Sequence, residues 1–156
     1  MTLLKTLIFM LVAPAALTIY LPYALLAGRT GALPFSVVRI AGLLPICVGV
    51  CIELWCGWDF ATKGRGTPAP FDPPKELVAH GLYALVRNPM YVGVLLILLG
   101  EAWFFATGAL LWYALVVFAG FNLFVLLYEE PTLRRNFGRA YESYCAAVPR
   151  WWPRIR

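Results

Sequence analysis

The chain has 156 residues, of which 62% are hydrophobic and 13% charged, and its formal net charge is +5. Soluble chains run near a quarter charged, so this one has too few charges to coat a water-soluble domain, and its length leaves no room for a separate soluble catalytic module. Composition excludes an ordinary soluble enzyme and predicts an all-α, polytopic membrane bundle, a single domain whose site is made from helix ends and loops.

In chain order, four apolar stretches are spanning candidates: about 7–26, 37–58, 90–105 and 109–128. The first follows Lys5 and carries Pro14 and Pro22, and its length fits a retained span better than a removed leader. A loop, 59–89, joins the second and third; its Gly- and Pro-rich part, Thr62 to Pro74, is expected to run irregularly along the membrane surface, where it is able to cover a ligand. The third stretch reaches only about 24 Å at 1.5 Å per residue against a core near 30 Å, so it is expected to sit tilted or shallow. Thr107-Gly108 is the predicted turn into the fourth. Beyond it lies a tail, 129–156, in which Pro131 suits the first turn of a new amphipathic helix. Arg134, Arg135 and Arg139 fall on the polar side of that helix, with Leu133, Phe137 and Tyr141 or Tyr144 toward the bilayer.

Eleven of the thirteen Lys and Arg fall on one side if both termini are cytoplasmic; only Arg29 and Arg39 fall outside. The positive charge flanks spans instead of lining one polar domain, which reads as contact with anionic headgroups and not with nucleic acid. Cys47, Cys51, Cys56 and Cys145 form no C-x-x-C pair and His80 is the lone histidine, so no metal site is expected.

Two polar clusters bracket the apolar run from Met90 to Tyr128. One is Leu77-Val78-Ala79-His80-Gly81-Leu82-Tyr83 with Arg87-Asn88-Pro89-Met90-Tyr91-Val92-Gly93; the other is Glu129-Glu130 with Phe137-Gly138, Tyr141, Tyr144 and Pro149-Arg150. A membrane hairpin returns both to one surface, where a charged small molecule can meet a lipid-soluble one. Glu129 offers an acid, Arg87 or Asn88 a cation or an amide, Tyr83 and Tyr91 aromatic faces, and Leu77 and Val78 apolar walls to such a charged small molecule. Gly81 and Gly93 would let backbone approach it. His80, Glu129 and Glu130 are the nearby bases.

The pattern L-V-x-x-G-x-Y-x-x-x-R-N-P-x-Y-x-G, then E-E, then F-G-x-x-Y-x-x-Y and a closing V-P, resembles the integral-membrane methyltransferases that include isoprenylcysteine carboxyl methyltransferase and the phospholipid N-methyltransferases. The likeness runs from Thr67 to Pro153. It implies S-adenosyl-L-methionine in a cytoplasm-facing pocket and a lipophilic acceptor arriving sideways from the bilayer. The family's cofactor contacts fall on Lys75, Glu76, Leu77, Val78, Tyr83, Asn88 and Glu129, to which the residue chemistry adds Gly81 and Tyr91. Catalytic candidates are Arg87, Glu130 and His80. Where the isoprenylcysteine enzymes carry histidine before the proline this chain has Asn88, and where they carry an arginine one helical turn before the Glu pair it has Val125. An isoprenylcysteine carboxylate is therefore not the expected acceptor.

Plainer readings stand beside these. Glu129 and Glu130 suit the first turn of a helix; Arg87-Asn88-Pro89 suits a helix start with a snorkelling arginine; Tyr141 and Tyr144 read as an interfacial aromatic belt; Glu101 reads as a rim residue. A nicotinamide-dependent reductase related to sterol reductases and a non-catalytic membrane scaffold are the competing functions.

Overall fold

The computed structural model of the chain describes residues 12–27, 36–60, 62 and 76–153. Lys75 and all of the Gly- and Pro-rich stretch but Thr62 lie outside the described residues, as do Lys5, Arg29, Lys63, Arg65, Arg154 and Arg156. The described chain is helical, with no strand: α1 Val12–Leu26, α2 Val37–Asp59, α3 Pro89–Phe104, α4 Gly108–Phe137 and α5 Arg139–Ala147, with a 3-10 turn at Gly81–Ala84 ahead of α3. By length and composition α2 and α4 are able to cross a bilayer; α1 and α3 are shorter apolar helices. At 16 residues α3 has the short length expected.

Local chemistry explains the helix ends. Asn88 precedes Pro89, whose fixed φ and missing N–H suit a first helical position. Thr107 caps α4 by accepting from the Ala109 amide at 3.4 Å, so the turn falls two residues earlier than expected, on Phe105 and Ala106. Pro131 does not open a new helix. Instead α4 runs through it, and the turn just before it widens: the Glu130 amide bonds to the Val125 carbonyl five residues back. Proline lacks the donor and presses on the carbonyl four residues earlier, so a π-turn is the local remedy. The same device recurs in α1, where the Leu21 amide reaches Ala16 immediately ahead of Pro22. Gly138, at φ +51°, then breaks α4 from α5.

Packing is tightest between antiparallel α2 and α3. A Cβ on Gly42 would stand 2.8 Å from the Gly100 carbonyl oxygen, and one on Gly100 2.7 Å from that of Gly42. A Cβ on Gly49 would stand 2.5 Å from the Gly93 oxygen. Backbone meets backbone along this seam, because lipid gives helices no hydrophobic reason to associate and close van der Waals contact must do so. Gly93 thus serves helix packing and not approach to a ligand. On the other side of α3, Val94 and Leu98 pack with Ala114 of α4 and Leu17 of α1, and the Tyr113 hydroxyl donates to the Leu17 carbonyl at 2.9 Å. The outward faces, such as Leu54, Trp55, Val116 and Leu127, are exposed and apolar.

Substituting Gly49→Val should lower stability in detergent by about 1–3 kcal/mol or more, since the nearest atom is the Gly93 carbonyl oxygen, which cannot step aside. Gly120→Ala, where nothing lies within 4 Å, should leave stability unchanged or raise it. Thermal unfolding of the two variants checks the contrast.

Candidate active site

The two polar clusters meet, joined by the segment that follows α5. Glu130, 6% exposed, receives two guanidinium groups: Arg87 donates from Nη1 to Oε1 at 3.0 Å, and Arg150 donates from Nε to Oε1 at 2.8 Å and from Nη2 to Oε2 at 3.1 Å. Backbone contacts reinforce the junction, with the Arg87 amide bonded to the Pro149 carbonyl at 2.9 Å and Asn88 Nδ2 to the Arg150 carbonyl at 3.3 Å. Trp151 completes this strap by donating to Asn122 Oδ1 at 3.1 Å and lying edge-on to Phe118. Both oxygens of Glu130 are committed, so its place is that of a structural counter-charge that holds Arg87.

Glu129 turns elsewhere. The Tyr91 hydroxyl donates to its Oε2 at 2.8 Å, and the Tyr91 ring stacks on Phe121 with centroids 4.4 Å apart. The π-turn at Val125–Glu129 ends on the first of the two acids, and the two meet different elements, Glu129 α3 and Glu130 the strap. Such turns recur at functional sites for that kind of reason.

Around them is a cavity whose lining includes Leu77, Val78, Tyr83, Arg87, Asn88, Tyr91, Glu129 and Glu130, eight of the twelve residues put forward from the sequence. Three others do not line it. Glu76 is exposed. Gly81, at φ +59°, lies against Asp59 and Trp55 and not against the cavity. His80 faces Asp59, with Nε2 3.7 Å from Oδ1. Lys75 lies outside the described residues.

The tail tyrosines differ from the expected belt. Tyr141 is buried, Tyr144 donates to the Tyr83 carbonyl at 2.6 Å, and both line the cavity together with Leu133, which was also expected to face lipid. The cause is the Gly138 break, which folds α5 back under the loop. Burial pushes the hydroxyls of Tyr83, Tyr141 and Tyr144 above the ordinary phenol range, so they remain neutral. The hydrogen bond to Glu130 raises Arg150, so that cation stays charged.

Some contributors escaped sequence reasoning. Phe60 meets the Tyr83 ring edge-on with centroids 5.5 Å apart and lines the cavity. Asp59 and Glu53, both buried in α2, and Arg150 had no assigned role. An acid inside an apolar stretch is a signal in itself, and Glu53, whose carboxyl oxygens accept no hydrogen bond, was there to be read.

Replacing Arg150→Gln should destabilise the protein by about 1.5–3 kcal/mol, the range for hydrogen bonds to a charged group, since it strips Glu130 of its two-pronged partner. Arg139→Gln, at an exposed position, should stay within about 0.5 kcal/mol. Denaturation of the two variants side by side measures the difference.

Comparison with known proteins gives the chain a family. Two curated relatives, each described as "Probable protein-S-isoprenylcysteine O-methyltransferase", from Oryza sativa subsp. indica and subsp. japonica, are 29% identical over 143 residues, which covers 81% of this chain and 70% of each relative. No solved structure matches. The family model described as Phospholipid methyltransferase matches residues 37–140, from the start of α2 through the hairpin and both acids into α5, and the chain belongs to that family of methyltransferases.

Proposed function

We propose that the protein is an integral-membrane enzyme that transfers the methyl group of S-adenosylmethionine to a lipid-soluble acceptor. The observation that carries this reading is the pairing of opposite charges in one aromatic cavity: Glu129 from α4 and Arg87 from the arm ahead of α3, among the rings of Tyr83, Tyr91 and Tyr128. Arg87 Nε is buried without a hydrogen-bond partner, which fits an anionic ligand group beside it. When bound, the cofactor supplies an electrophilic methyl on a sulfonium. Glu129, steadied by Tyr91, suits its positive charge; Arg87 and Asn88 suit its carboxylate; Leu77, Val78 and the rings suit its apolar and aromatic parts. Lys75 and Glu76 belong to the proposed contacts through the resemblance alone.

Methyl transfer to a carboxylate needs in-line positioning in a dry site, and transfer to an ammonium also needs a proton removed. The burial of Asn88 and Val125 supports the dry site. Val125, 1% exposed, offers no cation to an acceptor carboxylate, and Arg87 is the one Lys or Arg on the cavity wall among the described residues. The acceptor is therefore proposed to be lipid-like, with prenylcysteine as the substrate named for the rice relatives and not assigned here. The methyltransferase names of the family and of both relatives favour this reading over a nicotinamide-dependent reductase.

The proposed topology has four spans, with α1 and α3 completing the bundle of α2 and α4, and both termini cytoplasmic as the Lys and Arg distribution favours. Accessibility labelling at Gly31 and Gly66 should report opposite faces; Gly66 on the outer face would remove the site from the cofactor's compartment.

Calorimetry on detergent-solubilised protein should show binding of S-adenosylhomocysteine, the demethylated product, and none of NADPH. Glu129→Gln and Tyr91→Phe should each weaken it by about 1–3 kcal/mol through the lost charged hydrogen bond. Labelled S-adenosylmethionine with prenylcysteine analogues, phosphatidylethanolamine and native lipid extract then identifies the acceptor, and label in none of them would count against enzymatic methyl transfer to lipid.

A further inference from the structure

Asp59 ends α2, and at 1% exposed it is buried more completely than any other acid among the described residues. Methyl transfer as proposed makes no use of it. Its carboxylate lies directly against the turn that carries Tyr83: a Cβ on Gly81 would stand 2.8 Å from Asp59 Oδ2, and Asp59 Oδ1 lies 3.7 Å from His80 Nε2. Position 81 thus requires glycine twice over, for its positive φ and for the room the carboxylate takes. Residues on either side of Asp59 hold the same turn. Phe60 meets the Tyr83 ring, and Cys56, one turn back and fully buried, packs with Tyr83, Val78 and Met90. A buried carboxylate is costly, and it persists where polar or charged neighbours offset the desolvation.

We propose that Asp59 is a positioning residue of the cavity: it anchors the 80–84 turn on the end of α2 and thereby sets where Tyr83 stands, with His80 as the neighbour of its charge. This rests on the reading of the cavity as a methyl-donor site. The same anchor accounts for the exclusion of His80 and Gly81 from the cavity wall, since both are turned to α2.

Two measurements on the full-length protein in detergent test it. The first is the rate at which N-ethylmaleimide alkylates Cys56, read at the peptide level by mass spectrometry, because Cys56 lies beneath the turn and reports on it independently of any ligand. Wild type and Asp59→Asn, which keeps the shape and an acceptor, should stay protected, and Asp59→Ala should react at least tenfold faster. Protection of Cys56 in Asp59→Ala overturns the anchor. The second is calorimetry with S-adenosylhomocysteine: Asp59→Ala should weaken binding about tenfold, Asp59→Asn should restore most of it, and adding Asp59→Ala to Tyr83→Ala should cost little more than Tyr83→Ala alone. A full, additive loss in the double variant overturns the claim that Asp59 acts through Tyr83. Wild-type protein that fails to bind S-adenosylhomocysteine would refute the methyl-donor reading, while the Cys56 rate still decides the anchor. If Asp59→Ala does not fold, Gly81→Ala presses a methyl on the same carboxylate and should expose Cys56 likewise; a protected Cys56 there also overturns the proposal.

Discussion

The architecture of the site depends on one carboxylate between two guanidinium groups. Glu130 draws together Arg87, ahead of α3, and Arg150, beyond α5, although the three are far apart in sequence. Burying an acid of this kind alone would cost several kcal/mol, and two cations with three hydrogen bonds offset that cost while leaving the cluster one positive charge in excess. The excess matters for chemistry. It leaves Arg87 oriented by Glu130 but not neutralised by it, with its buried Nε donor still unmet. The strap brings Pro149, Arg150 and Trp151 onto the Arg87-Asn88 pair and onto α4, so two residues of the cavity wall are fixed from behind.

A second constraint is proline. Consecutive residues in a helix point about 100° apart, so two neighbouring acids face different surroundings as long as the helix continues through them. By continuing through Pro131 with a widened turn, α4 presents Glu129 to Tyr91 and Glu130 to the arginines. A carboxylate held by one phenol and a carboxylate held by two guanidinium groups are thus separated by a single peptide unit.

Much of this was legible in the residues. Hydrophobic runs placed α2, α3 and α4 to within a residue or two at most ends, because in an apolar solvent a continuous apolar run has few alternatives to helix. The Glu129, Tyr91, Asn88 and Arg87 grouping was legible for a similar reason: polar groups beside a membrane hairpin have one another to meet. Less visible was which acid serves which purpose, since Glu129 and Glu130 are chemically identical and only the bond register around Pro131 tells them apart. Tyr141 and Tyr144 read as a surface belt because their spacing is that of any amphipathic helix, and nothing local reveals that Gly138 turns that helix inward. His80 read as a base because it is the lone imidazole beside the site; its neighbour, Asp59, lies at the end of α2, and no spacing connects them.

The glycine seam between α2 and α3 has a consequence for how such a chain can change. Most packed positions tolerate exchange in pairs, a larger side chain on one helix being accommodated by a smaller one opposite. Gly42 faces Gly100 and Gly49 faces Gly93, so neither partner has anything left to give up. No compensating replacement exists for these pairs, and variation along α2 and α3 is steered to the lipid-facing side, where Leu54 and Trp55 meet a solvent that accepts almost any apolar shape.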